Sequence, residues 1–282
     1  MTEEVLAAAG EALERGETVA LVTIVRTQGS TPQRVGAKML VYGDGRTVGT
    51  IGGGCYEADA LGKARAVLDS GKPALVSYEL SDDLAQETGL ICGGRMDVFV
   101  EPLQPAPRLV VIGAGHVGQQ VARLAAHVGF RVQVVDDREK FASAERFPDA
   151  EVTVADLPDW LHRAELPPSA FVVIVTRGHR HDLDALRALV ARDLRYLGLI
   201  GSRAKVARLF DALAAESMPP ECLERVHAPI GLDIGAVTPT EIAVSIVAEL
   251  IGVRHGRLST DRAASPPEAR PLSALRRTGR RS

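Results

Sequence analysis

The chain has 282 residues, 46% of them hydrophobic, 24% charged and 4% aromatic, with a formal net charge of −3. That length holds two ordinary domains with ample core. The near-neutral charge and scarce aromatics exclude a nucleic-acid partner, and the lack of any long uncharged apolar run excludes a membrane span.

Composition divides the chain into three parts: a first domain over residues 1–103, a Pro-rich joint QPAPR at 104–108, and a second domain over 108–256. Residues 257–282, rich in Arg, Pro and Ser, are expected to be a basic disordered tail, either solvated or touching an acidic partner. The chain opens on an acidic helix, EEVLAAAGEALERG, with Val5, Leu6, Ala9 and Leu13 at helical spacing. It has no basic, apolar leader, so the expected location is the cytoplasm, with reduced thiols. TVALVTIVRT reads as a buried strand, and AKMLVY and TVGTIG flank Gly43-Asp44-Gly45 as a hairpin. A helix follows over residues 56–69, then a strand, MDVFVE. The first domain is thus expected to be mixed α/β and mostly antiparallel.

The second domain alternates regularly. The strands RLVVI, RVQVVDD, EVTVAD, FVVIV, RYLGLI and RVHAPIG are interleaved with the helices HVGQQVARLAAHVG, HDLDALRALVAR, RAKVARLFDALAAE and TEIAVSIVAELIG. Apolar strands alternating with helices mean a parallel sheet covered on both faces, so the fold class is α/β with a Rossmann-like, doubly wound second domain. The last helix is either core or a subunit interface.

Gly113-Ala114-Gly115-His116-Val117-Gly118 is a GxGxxG motif that ends a strand and opens a helix, and Asp136 ends the next strand about 20 residues on, where a ribose-binding carboxylate belongs. The helix N-terminus offers free N–H groups to a phosphate. Asp136 points to NAD or another unphosphorylated ribose, while Arg138 beside it keeps NADP open. Two further strand ends carry anion-binding candidates: Arg177, His179 and Arg180 after one, Ser202 and Arg203 after the other. His179 and His181 read either as metal ligands or as a solvated pair, and His116 as the residue that opens the helix.

Of three widely separated cysteines, Cys55 follows the glycine run Gly52, Gly53, Gly54 at the start of a helix. A thiol there faces unpaired N–H groups that lower its pKa, which suits a nucleophile or metal ligand. The other reading is a small residue packed under a turn. Cys92 reads as a strand-end residue or a second site thiol, and Cys222 as incidental.

GSTPQRVGAKMLV, GTIGGGCYEADAL and ICGGRMDVFVEP resemble the N-terminal region of the XdhC/CoxI family. VVIGAGHVGQQVARLA, VTRGHRHDLDAL, YLGLIGSRAKV and APIGLDIGAVTPTEIAVSIVAELI resemble its C-terminal Rossmann domain. The resemblance implies an accessory protein of molybdenum hydroxylases. Such a protein binds the molybdenum cofactor (molybdopterin), shields it while a terminal sulfur is installed, and helps insert it. It also implies a xanthine dehydrogenase-type apoenzyme and a cysteine desulfurase as partners, a homodimer, and no purine oxidation by the chain itself. On this resemblance Cys55 is the candidate molybdenum ligand, with Gln33 and Arg34 as nearby polar groups. Two alternatives remain: an NAD-dependent oxidoreductase, for which no acid–base pair or Tyr-xxx-Lys is evident, and a nucleotide-sensing adaptor without a metal cofactor.

Overall fold

The computed structural model describes residues 2–80 and 94–258, and the chain divides into two compact units between Ala106 and Pro107. Cys92 and the tail from residue 259 onward lie outside the described residues.

The first unit comprises α1 (Thr2–Glu14), β1 (Val19–Gly29), β2 (Lys38–Tyr42), β3 (Thr47–Gly49), α2 (Gly54–Ser70), β4 (Ala74–Leu80) and β5 (Gly94–Leu103). Among the described residues its strands form one antiparallel sheet in the order β3-β2-β1-β5-β4. Val19 and Leu21 of β1 pack with Val5, Ala9 and Ala12 of α1 on one face. Ala20, Val22 and Ile24 pack with Ala60, Ala64 and Val67 of α2 on the other. A central strand covered on both faces has no polar side, so its sequence is a continuous apolar run rather than an alternation. Each such large side chain contributes about 1.5–3 kcal/mol by leaving water. β4 is an addition to the elements expected from the sequence. It is an edge strand held by its ladder to β5; Ala74, Val76 and Tyr78 are half-buried and alternate with exposed Leu75, Ser77 and Glu79, with Ala74 and Tyr78 packed against the core.

The second unit comprises β6 (Arg108–Ile112), α3 (His116–His127), β7 (Arg131–Asp136), β8 (Glu151–Val154), α4 (Leu157–Arg163), β9 (Phe171–Ile174), α5 (His179–Leu189), β10 (Tyr196–Leu199), α6 (Arg203–Ala215), α7 (Pro220–Glu224), β11 (Val226–His227) and α8 (Pro239–Arg254). The described strands form one parallel sheet, β11-β10-β9-β6-β7-β8. From the β8 edge the order is third, second, first, fourth, fifth, sixth. This is the doubly wound arrangement, and it reverses direction between β6 and β9. Leu109, Val111 and Val173 face α3 and α8, while Val110, Ile112, Val172 and Ile174 face α4, α5 and α6. α8 is therefore core: Ala243, Ile246, Leu250 and Val253 are fully buried. Its start is fixed by a capping box in which Glu241 N–H donates to Thr238 Oγ1 at 3.3 Å and Thr238 N–H donates to Glu241 Oε2 at 2.8 Å.

Two buried polar groups tie β11 to α8. The Nδ1 of His227, 1% exposed, lies 2.6 Å from Glu249 Oε1, and the other carboxylate oxygen accepts the N–H of Gly231. Tyr196 packs against the imidazole with ring centroids 4.4 Å apart. Residues 228–238 thus leave the sheet from an anchored base.

Candidate functional site

In the first unit the glycine run forms a tight turn before α2. Gly52, Gly53 and Gly54 have φ of +128°, +73° and +73°. A Cβ on Gly52 would meet Pro32 at 2.7 Å, so the turn carrying Gln33 and Arg34 packs directly against the glycine run. Cys55 lies in the first turn of α2 and is exposed, so it is not the packed small residue. Arg34 is exposed and Gln33 half-buried. The turn also holds a feature that the sequence marks only as a first-turn acid. Glu57 folds back, and its carboxylate accepts from the Thr50 hydroxyl, from Ile51 N–H at 3.1 Å and from Gly53 N–H at 3.0 Å. Burial works against its charge, but those hydrogen bonds outweigh it and hold Glu57 below the usual carboxylate range. Two N–H groups of the turn leading into α2, those of Ile51 and Gly53, are thus bound to a carboxylate.

In the second unit the GxGxxG turn follows β6 at the sheet reversal. Gly113 has φ +117°, and a Cβ there would meet Val175 O at 2.5 Å, so the turns after β6 and β9 are in contact. The turn is also tied to the loop after β7, since Arg146 Nη1 donates to Ala114 O at 3.0 Å. Gly118 is buried against the carbonyl of Gly113, which brings α3 close to the turn. α3 opens at His116 with Gly115 as its N-cap. No side chain caps it, and no acid lies in its first turn. Its first N–H groups and partial positive charge are left to an anion.

Asp136 is 3% exposed and accepts four hydrogen bonds. Ala114 N–H donates to Oδ2 at 2.7 Å, Arg138 N–H to Oδ1 at 3.0 Å, and the Arg138 guanidinium to both oxygens at 2.8 Å each. A carboxylate has about four acceptor positions, and all are filled. Burial pushes this carboxyl up, but the Arg138 side chain, the Ala114 N–H and the Arg138 N–H outweigh it and bring its pKa down to about 2. A depressed folded pKa gives stability that is present above the unfolded value near 3.8 and is lost as pH falls toward 2. Acid titration of folding should therefore show a contribution of about 2 kcal/mol disappearing in that window. It should shrink in Arg138→Ala, where only the two backbone N–H donors remain, and an unchanged acid limb in that variant would contradict the assignment.

The other candidates line the same carboxyl edge of the sheet. Arg177 pairs with Asp137 at 2.8 Å, joining the ends of β9 and β7, which flank β6. His179 opens α5 and is exposed, as is Arg180, while His181 is half-buried. Ser202 is the N-cap of α6, accepting from Lys205 N–H at 3.2 Å, and Arg203 is exposed beside it. Beneath them lies a network that sequence reasoning missed. Asp182, fully buried, accepts from the Thr176 hydroxyl at 2.7 Å and pairs with Lys205 Nζ at 2.5 Å. It locks the starts of α5 and α6 together. Its signal was a charged residue one position after a histidine pair, which reads as solvated without the fold. Among the described residues no group of three or more His, Cys, Asp or Glu is placed to hold a metal ion, so His179 and His181 do not form such a cluster. No described helix is long and apolar enough to cross a membrane.

Residues 109–250 match the family model of the XdhC Rossmann domain, and residues 12–79 that of the XdhC and CoxI family. The chain belongs to the XdhC/CoxI family. Among its relatives is the uncharacterised protein YqeB of Escherichia coli K12, 37% identical over 84% of this chain, which spans only 43% of YqeB. A probable xanthine dehydrogenase subunit from Bacillus subtilis 168 is 28% identical over 86% of this chain and 95% of its own. The molybdenum cofactor insertion chaperone PaoD of E. coli K12 is 24% identical over 89% of this chain and 88% of its own. A solved xanthine dehydrogenase from Bacillus halodurans shares 27% identity, covering 93% of this chain and 98% of that one, with a TM-score of 0.51. The family match spans both units. The Gly52–Cys55 turn stands outside the Rossmann match, within the segment matched to XdhC and CoxI.

Proposed function

We propose that the chain binds the molybdenum cofactor and assists its sulfuration and insertion into a xanthine dehydrogenase-type molybdenum hydroxylase. The observation that carries this reading is the uncapped, acid-free N-terminus of α3 at the reversal of the parallel sheet, in a chain of the XdhC/CoxI family that is similar to an insertion chaperone. Molybdopterin ends in a phosphate ester, and the N–H groups around Gly113, Gly115, His116 and Gly118 suit that end. Arg177, His179, Ser202 and Arg203 supply polar and cationic groups along the same edge. Asp136 takes part by holding the glycine turn through Ala114 N–H.

In the first unit the exposed thiol of Cys55 is the candidate molybdenum ligand. Gly52, Gly53 and Gly54 form the turn that presents it, and Gln33 and Arg34 provide polar cover. When bound, the cofactor supplies the metal centre that the client hydroxylase uses. The chain's own part is to seat the phosphate, limit water at the metal and release the group to the client. The role carries further partners with it: a cysteine desulfurase that supplies sulfur, the apoenzyme, and a second copy of the chain. It also implies a cytoplasmic location.

The test is activation of an apo-hydroxylase by protein purified from cofactor-producing cells, compared with the same amount of free cofactor. Higher activation by the protein-bound cofactor is expected. No advantage over free cofactor would remove the insertion role. Cys55→Ala is expected to fold normally, since the side chain is exposed, and to carry several-fold less molybdenum. Equal molybdenum in that variant would discard Cys55 while leaving the carrier role in place.

A further inference from the structure

We infer that Arg138 closes this Rossmann unit to NAD and NADP, so that its glycine turn serves a phosphate ester that makes no ribose-diol contact. The positive half of this inference rests on the cofactor reading above; the exclusion rests on geometry alone. A dinucleotide bound in this fold places its adenosine ribose against the carboxylate at the end of the second strand, which must accept from the ribose hydroxyls. Here that carboxylate is Asp136, and its four acceptor positions are filled by Ala114 N–H, Arg138 N–H and the two guanidinium contacts. Admitting a ribose would break a bidentate, charge-assisted pair and replace it with bonds from neutral hydroxyls, which are weaker.

NADP meets the same obstacle in another form. Its 2′-phosphate would need the Arg138 guanidinium, and drawing that group away would leave a buried carboxylate without its counter-charge, held by two backbone N–H groups alone, beside the incoming phosphate. The guanidinium is further held by the ring of Phe141, whose centroid lies 4.0 Å from Cζ. A second lock lies across the crevice. The Asp137–Arg177 pair joins the ends of the two strands that flank β6, along the line that a dinucleotide would follow from the glycine turn toward β7. A ligand that ends in a phosphate at the turn has no need of either carboxylate.

The experiment is calorimetric titration of NAD and NADP into the full chain as wild type, Arg138→Ala, and Arg138→Ala with Asp136→Asn. The wild type is expected to bind NAD only weakly, at the limit of the titration, which sets a lower bound on its dissociation constant. Arg138→Ala should bind NAD about ten- to a hundredfold more tightly than the wild type, the range set by hydrogen bonds to a charged acceptor. The double variant should lose that gain. Wild-type binding as tight as the variant's would overturn the inference, and so would a folded Arg138→Ala with no gain, or a gain that survives Asp136→Asn. Emission from Trp160, in the same unit, reports whether each variant is folded; if Arg138→Ala is not, Arg138→Gln removes the cation with less loss of packing. Molybdenum content is measured on the same preparations. An absence of molybdenum in the wild type would sink the cofactor reading, while the NAD titration would still decide the role of Arg138.

Discussion

Glu249→Ala is expected to lower the stability of the second unit by about 3 kcal/mol or more. The carboxylate is 7% exposed and serves two elements at once, the imidazole of His227 at 2.6 Å and the N–H of Gly231. Truncation leaves Gly231 N–H and one face of a buried imidazole facing a cavity, and an uncompensated buried polar group costs more than the bond it made. The loss falls where β11 meets α8, and α8 covers the sheet face also packed by α3. Glu249→Gln keeps the side-chain length and one acceptor, so its cost should be clearly smaller. The chain has a single tryptophan, Trp160, on α4 of this unit and packed against its core. Urea denaturation followed by Trp160 emission therefore reads the second unit directly. Equal midpoints for wild type and Glu249→Ala would show that the pair is dispensable.

Gly113→Ala should cost about 3 kcal/mol or more, because it combines backbone strain with a steric conflict. Its φ of +117° lies where side-chain-bearing residues are strained, and the new methyl would sit 2.5 Å from Val175 O, a backbone atom of a buried neighbouring segment that cannot swing aside. Gly115 makes the comparison informative. It has φ −68°, and a Cβ there meets nothing within 4 Å, so Gly115→Ala should cost far less, no more than about 1 kcal/mol for the poorer N-cap. It should instead obstruct close approach of a phosphate to the turn and lower the molybdenum carried, since the second glycine of such a motif leaves the backbone open to the ligand. A Gly115→Ala protein with full cofactor content would argue that the phosphate lies elsewhere.

The contrast between these two glycines shows what the sequence makes legible. Strand–glycine–helix order and an acid about 20 residues on identify the Rossmann turn, because local chain direction sets which residues end strands and open helices. The buried runs RLVVI and FVVI announce central parallel strands for the same reason, being covered on both faces. ALVSYEL did not announce β4, because its inward residues Ala74, Val76 and Tyr78 alternate with an outward row that includes the apolar Leu75, which blurs the two-residue period. The state of Asp136 was also hidden. That it stands at the end of β7 follows from the pattern, but its saturation depends on where the turn aims Ala114 N–H and on the rotamer of Arg138. Glu57 is a similar case, since its reach back to Ile51 and Gly53 requires the run of positive φ that only the folded turn displays. Where each carboxylate stands in the chain, at a strand end for Asp136 and in a first helical turn for Glu57, was legible, and what it binds was not.

The central claim is that this chain carries the molybdenum cofactor. The most direct measurement is the content of molybdenum and of released pterin in the wild-type protein purified from cells that make molybdopterin, set against the same protein from cells that cannot. The claim predicts both in comparable amounts in the first preparation and neither in the second. Protein from cofactor-producing cells that holds neither molybdenum nor pterin would contradict it.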